Sequence, residues 1–376
     1  MNVILFFTYG VSLKDWYESG LLNRELKHYE TLAKYFDINF TFITYGNTDD
    51  YKFINNEKIS IIPIYSILNY SKSKTLRLIK SFYIPFIINN ELGEGNKILK
   101  TNQLLGSWVA LIYKLITKSP LIIRTGYDLY SFSKYENKIF YKRFVYYLLT
   151  YVSLIFSNYY LVTSLVDYNF LSNKFVFKKE KLKLIPNWVD VSINNNVKNR
   201  DIKKALVVGR LEKQKNIDLI IKYFIGSNYK LDIFGEGSLK EYLMKLSKDN
   251  SNIEFKGVLG HKNLMESYSN YGFYISLSSH EGNPKSTLEA MGSGCVVIVS
   301  DIINNQEIIE NLKNGILFNP KKENMLNIIE NLLENSELLE LIRSNGMKYI
   351  NKNNSIEKVT RLESEIYKQL AADYFS

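Results

Sequence analysis

The stretch FYISLSSHEGNPKSTLEAMGSGCVVIVS, residues 273–300, decides the fold. It opens on an apolar run of strand length, Phe273–Leu277. A polar turn follows, then a helix expected over Thr287–Met291, then a second apolar run, Val296–Ser300. Two apolar runs joined by one short helix read as parallel strands buried on both faces. The pattern extends in both directions. In the same half, strands are expected at Ala205–Val208, Lys230–Phe234 and Asn252–Phe255. Helices are expected at Gln214–Ile225, Leu239–Leu246 and Lys262–Ser269. Further helical segments cover Lys322–Leu333, Glu337–Tyr349 and Ser355–Leu370, the last with Ser355 as N-cap. The N-terminal half repeats the alternation. Its strands are expected at Val3–Phe7, Ile38–Thr44, Ile59–Pro63, Lys97–Lys100, Leu121–Arg124 and Tyr159–Thr163. Its helices are expected at Leu21–Phe36, Lys74–Asn89, Leu104–Thr117 and Tyr135–Phe156.

Strands alternating with helices imply βαβ units and parallel sheet. The polar, Asn-rich segment 187–203 interrupts the pattern and reads as a linker. The expectation is an α/β protein with two Rossmann-like, doubly wound domains in tandem, facing across a cleft. Residues 1–186 form the first and 204–354 the second. Residues 355–376 form a C-terminal helix, expected to pack back toward the first domain. Such domains bind ligands beyond the carboxyl ends of their strands.

Composition narrows the function. The chain has 376 residues, 46% hydrophobic and 23% charged, which is ordinary globular usage. One cysteine excludes an internal disulfide, and three histidines leave little for a His-built metal site. A reducing, cytoplasmic location follows. The net charge is +10. Its distribution is uneven: residues 1–186 hold 24 Lys/Arg and 14 Asp/Glu, and the remainder holds 24 of each. The basic half suggests anionic material, such as a membrane surface. The alternative is drift toward Lys, Asn, Ile and Tyr. No nucleic-acid recognition motif is present, so nucleic acid is not expected as a partner. The uncharged stretch Phe144–Val166 has bilayer-spanning length but carries several polar residues. It reads as a buried helix to about Phe156 followed by a strand.

Chemistry-bearing residues gather at expected strand ends. Gly209 lets the chain turn after the strand Ala205–Val208, and Arg210 and Lys215 follow. An Arg fork and a Lys point charge suit a diphosphate. The next strand ends in Phe234-Gly-Glu-Gly-Ser238, where Gly235 leaves room for a nucleotide to approach the backbone. In the opening stretch, Glu281 lies on the loop and Glu289 more than a turn inside the helix. Pro284 sits near the helix start. The free N–H groups of Lys285, Ser286 and Thr287 point at an anion site. A carboxylate such as Glu289 can accept from both hydroxyls of a ribose. Cys295, opening an apolar strand, reads as a buried inert thiol.

Four segments in this order and spacing resemble a known family: IPNWVD (185–190), GRLEKQKN (209–216), FGEGSLKEYL (234–243) and EGNPKSTLEAMGSG (281–294). They are similar to the retaining glycosyltransferases of family 4, which have the GT-B architecture. The resemblance covers about residues 183–367. It implies transfer of a sugar, of hexosyl type, from a nucleotide-sugar donor, UDP- or GDP-linked, to a glycan or lipid-linked acceptor. Cell-surface polysaccharide synthesis at the cytoplasmic face of the membrane is the implied setting. By the resemblance, Arg210 and Lys215 bind the diphosphate, Glu289 holds the ribose, and Glu281 sits near the transferred sugar. Gly209, Gly235, Gly282, Asn283, Pro284, Lys285, Ser286 and Thr287 line the donor site, with Gly10 approaching the phosphate from the first domain. No cofactor and no metal is implied. Departures lie in the N-terminal half. A single Gly10 stands where many members have Gly-Gly, and Thr125 stands where many have His. Asn102, Arg124 and Thr125 are the acceptor-side candidates. The alternatives are a synthase of a soluble glycoside, or a sugar-nucleotide-binding protein without catalysis.

Overall fold

The computed structural model describes residues 1–136, 138–190 and 200–375. The chain divides into two compact units: Met1–Pro186 with Thr360–Ser376, and Asn187–Val359. In the first unit the strands are β1 (Asn2–Phe6), β2 (Asn39–Thr44), β3 (Ile59–Pro63), β4 (Lys97–Thr101), β5 (Leu121–Arg124), β6 (Tyr159–Val162) and β7 (Leu182–Leu184). They form one sheet in the order β3-β2-β1-β4-β5-β6-β7, every pair parallel. Val3, Ile4 and Leu5 are completely buried, as a central strand covered on both faces requires.

The second unit repeats the plan. Its strands are β8 (Asp201–Val208), β9 (Lys230–Phe234), β10 (Ile253–Gly257), β11 (Tyr271–Ser276), β12 (Val296–Ser300) and β13 (Ile316–Phe318). The order is β10-β9-β8-β11-β12-β13, again all parallel. Strand order reverses direction between β1 and β4 in one unit and between β8 and β11 in the other. Those are the positions where doubly wound sheets open a crevice for ligands.

Several expectations need adjustment. The helix expected over Lys74–Asn89 is two helices, Lys74–Ser81 and Ile84–Leu92. Pro85 lacks the N–H that a continuous helix would use, and its ring would clash with the carbonyl four residues back. It serves instead in the first turn of the second helix. The helix expected over Tyr135–Phe156 starts later, at Phe140, and a separate helix, Leu129–Tyr135, precedes it. The latter is not a buried helix. It buries Thr150, Ser153 and Leu154 but exposes Phe140, Phe144 and Leu148. The three-residue strands β7 and β13 are additions; runs that short carry no readable periodicity. Of the segment read as a linker, Asn187–Asp190 is buried within the second unit and β8 already begins at Asp201. The remainder, 191–199, lies outside the described residues. The final helix, Ile356–Phe375, starts in the second unit and belongs to the first from Thr360 onward. The Lys358 N–H donates to the Ser355 hydroxyl at its start (3.3 Å).

Candidate functional site

The carboxyl ends of β8, β9 and β11 bring three turns together in the second unit. The turns after β8 and β9 interlock through backbone bonds: the Gly209 N–H donates to the Phe234 carbonyl (3.0 Å) and the Leu211 N–H to the Glu236 carbonyl (2.9 Å). A Cβ on Gly235 would overlap the Gly209 oxygen, and one on Gly237 would stand 2.5 Å from the Leu211 oxygen. Only glycine fits these positions, since no backbone can yield that far. The third turn is held to the first by Gln214. Its side-chain amide donates to the His280 carbonyl (2.6 Å), and its own carbonyl accepts from the Ser279 N–H (2.9 Å).

This interlocking sets the charged groups. Lys215 donates to Glu281 in a largely shielded ion pair. The Lys215 stem lies along the backbone at Gly209, its Cε 3.5 Å from where a Cβ would stand. Arg210 is exposed at the end of β8. The helix Lys285–Gly292 begins directly after Pro284, so its first N–H groups face the same turn. A cation, a carboxylate and a helix N-terminus therefore converge at the β8/β11 switch point.

Glu289 occupies a different depth. It is 2% exposed, with Oε1 3.1 Å from His261 Nε2 and Oε2 accepting from the Tyr268 hydroxyl (3.4 Å). Ser286 meets the Tyr274 hydroxyl (2.9 Å), and Thr287 is buried behind it. Burial pushes the Tyr274 phenol up to about 12, so it stays a neutral hydrogen-bonding group. Gly282 and Pro284 are buried and Lys285 is partly exposed. Sequence reasoning missed His261, Tyr268 and Tyr274 as supports of this turn, because nothing local marks a side chain that meets the site from another helix or strand.

Asn187 was missed as well. Its N–H donates to Asn283 Oδ1 (2.9 Å) and its side-chain amide to the Asn283 carbonyl (2.7 Å). The Asn354 amide in turn donates to the Asn187 carbonyl (2.8 Å). The residue that opens the second unit thus clamps the turn bearing Glu281. The sequence signal was IPNWVD itself, which marks the motif but not the partner.

The first unit treats its candidates differently. Gly10 is exposed at φ 77, with open space around it. Asn102 is partly exposed, and its N–H donates to the Phe6 carbonyl (2.9 Å). Arg124 and Thr125 are corrected. Thr125 is completely buried, and its N–H donates to the Leu161 carbonyl (2.9 Å). Arg124 is 9% exposed and directs its guanidinium at Glu363 of the final helix (3.4 Å). Neither offers an open face to an acceptor, because both side chains turn inward to satisfy buried partners.

Glu363 is the centre of a buried cluster. It also engages Lys100, the Tyr367 hydroxyl and His28, whose Nε2 lies 3.0 Å away. Burial alone would push the Glu363 carboxyl up. Lys100, His28 and Arg124 outweigh that and hold it well below its ordinary range. Burial lowers Lys100 to about 8, with Glu363 opposing the shift. Cys295 is buried, and its thiol is pushed up to about 11 by burial. Among the described residues, no group of three or more His, Cys, Asp or Glu side chains could hold a metal ion.

Residues 190–349 match the family model described as Glycosyl transferases group 1. That span lies within the second unit and covers less than half of the chain. A relative, the UDP-N-acetylglucosamine–peptide N-acetylglucosaminyltransferase GtfA subunit of Streptococcus agalactiae, is 36% identical over 118 residues. That is 30% of this chain and 23% of the relative. Another, the N-acetylgalactosamine-N,N'-diacetylbacillosaminyl-diphospho-undecaprenol 4-alpha-N-acetylgalactosaminyltransferase of Campylobacter jejuni, is 29% identical over 177 residues. That covers 45% of this chain and 48% of the relative. The chain thus aligns with less than half the length of either curated relative. The structure of HepE from Anabaena in complex with UDP superposes with a TM-score of 0.72 at 14% identity, covering 98% of this chain and 100% of that one. This likeness establishes the fold, two parallel-sheet α/β domains of GT-B type.

Proposed function

We propose that the protein is a retaining glycosyltransferase of family 4, hexosyl-transferring, that moves a sugar from a UDP-sugar to a glycan or lipid-linked acceptor. The observation that carries the reading is the convergence of Lys215, Glu281 and the N-terminus of the helix Lys285–Gly292 at the β8/β11 switch point. Breaking the donor's glycosidic bond leaves an oxocarbenium-like sugar and a diphosphate with added negative charge. Arg210, Lys215 and the helix N–H groups stabilise that leaving group electrostatically. Glu281 faces the sugar, and Glu289 takes the ribose hydroxyls. Retention follows from front-face attack, in which the leaving phosphate accepts the acceptor's proton. The reading calls for no metal.

Support for the donor comes from the GtfA relative, named for UDP-N-acetylglucosamine, and from HepE, solved with UDP. Support for a lipid-linked acceptor comes from the Campylobacter relative, named for a diphospho-undecaprenol substrate. The setting we infer is surface polysaccharide synthesis on the cytoplasmic face of the membrane, with the basic N-terminal half toward an anionic lipid surface.

The test is thermal shift with UDP-, GDP-, ADP- and TDP-sugars. A donor near 100 times its dissociation constant adds about 2.7 kcal/mol. UDP-sugars are expected to stabilise the wild type, and Arg210→Ala and Glu289→Ala are expected to lose the effect. In transfer assays Lys215→Ala is expected to slow turnover by ~10²–10³-fold. No stabilisation by any of the four, or equal stabilisation of the variants, overturns the reading.

A further inference from the structure

Two helices of the first unit turn their apolar sides away from the protein. The helix Lys74–Ser81 is the clearer case. At 100° per residue, Leu76, Leu78, Ile79 and Tyr83 fall on one half of the helix and its continuation, with Phe82, which stacks on Trp108. Lys74, Arg77, Lys80 and Ser81 fall on the other. The packed side is the polar one: Ser81 is buried and accepts from the Trp108 indole (2.9 Å). Arg77 and Lys80 fold onto the preceding loop and donate to the carbonyls of Ser71 (3.0 Å) and Asn69 (2.9 Å). Leu76, Ile79 and Tyr83 stand 43%, 52% and 62% exposed. A helix that merely covered a core would be oriented the other way round.

The first turns of the helix Phe140–Phe156 repeat the arrangement. Phe140, Tyr141, Phe144, Val145 and Leu148 share its outward face, and Phe140 is 80% exposed. The two helices lie in one layer. The connections after β3, β4 and β5 all run the same way along the sheet, so right-handed crossovers place their helices on one face. Accordingly Ile84–Leu92 packs on Ser107–Thr117, and Ser107–Thr117 packs on Phe140–Phe156. Both apolar faces also lie toward the carboxyl edge of the sheet, since each crossover leaves from that edge. Gly10 and Asn102 lie at the same edge.

We propose that these two faces together form the surface by which the protein docks on an anionic lipid bilayer, without spanning it. Charge selects this occupant. Residues 58–90 contain five Lys/Arg and no acidic residue, and residues 137–166 contain three and none. Apolar and aromatic side chains with exposed Lys72, Lys74 and Lys142 nearby match a negatively charged interface. No described helix is long and apolar enough to cross a membrane. The proposal deepens the lipid-linked acceptor reading and rests on it, because docking would bring the acceptor-side edge to where such an acceptor resides.

The experiment is vesicle flotation of the full chain without donor. It uses phosphatidylglycerol/phosphatidylcholine vesicles beside phosphatidylcholine alone. The wild type is expected to float with the anionic vesicles and not the neutral ones. Leu76→Glu/Ile79→Glu and Phe140→Glu/Phe144→Glu are each expected to lower the bound fraction about tenfold, with unchanged melting temperature and unchanged UDP-sugar shift. A wild type that ignores anionic vesicles overturns the proposal, as does binding that both variants retain. It is also overturned if the substitutions dissociate an oligomer while vesicle binding persists, which would assign the faces to a second copy. A missing UDP-sugar shift would count against the transferase reading alone, since flotation is read without donor.

Discussion

The two sheets share one topology but place their charged groups in opposite ways. At the β8/β11 switch point, charge stands on turns: Lys215 and Glu281 form a largely shielded pair, and Arg210 is exposed. Beside the strand ends of the first unit, charge is sealed in. Lys100, Arg124 and His28 close on Glu363, and the carboxylates Asp128 and Asp167 are buried next to one another. Like strand-end positions therefore hold an exposed arginine in one unit and a buried one in the other. Residue type at a strand end does not say which.

The contrast can be broken at Glu363. Glu363→Ala strands Lys100, Arg124 and His28 without their common partner. Loss of one member of a buried ion pair costs about 3–5 kcal/mol. We expect a loss of that size in urea unfolding, far above what Arg210→Ala does to the second unit. Because the folded carboxyl titrates below its ordinary range, its contribution is present above about pH 4.5 and is lost as pH falls through the folded value. A Glu363→Ala protein as stable as wild type at pH 7 would show that the cluster does not hold the final helix.

A smaller effect is expected at Asn187. Removing its amide deletes the bond to the Asn283 carbonyl and loosens the turn that carries Glu281. One such bond contributes about 1 kcal/mol, which corresponds to a five- to tenfold fall in kcat. KM for the donor should change little. If Asn187→Ala lowers only thermal stability and leaves kcat intact, the clamp is structural, and the second unit also spends strand-end residues on architecture.

A third effect sharpens the sign of the comparison. Burial pushes Asp128 up to about 7 and Asp167 up to about 6. A raised carboxyl stabilises the fold below its unfolded value, about 3.9, and that contribution is lost as pH rises through the folded value. Asp128→Asn keeps the cap on the helix Leu129–Tyr135 but removes the titration. Wild-type stability should therefore fall relative to the variant between about pH 4 and 7, by up to about 4 kcal/mol. Urea midpoints at pH 4.5 and 7.5 read this directly. Equal slopes for the two proteins would refute it.

The βαβ order was legible because buried parallel strands write themselves as short apolar runs, and the turns between them need glycine or proline at particular places. Gly235 and Pro284 are such cases: a backbone contact at the one and a helix start at the other leave few alternatives. The turns after β8, β9 and β11 followed, since their residues lie within a few positions of a strand end. Pro85 carries a signal of the same kind, since a proline inside a helical pattern marks the break that the structure shows. By contrast, Arg124 looked the same in sequence as Arg210. One is locked onto a glutamate 239 residues away, and the other stands in the open.

Strand and helix identity, domain order and the turns marked by glycine and proline belong to local sequence, because propensity, turn chemistry and burial period act over a turn or two of chain. Which charges are available, which side of Lys74–Ser81 faces out and which residue braces Asn283 belong to the folded chain. Each depends on segments far apart in sequence meeting at a distance of about 3 Å, where a hydrogen bond or an ion pair either finds its partner or does not.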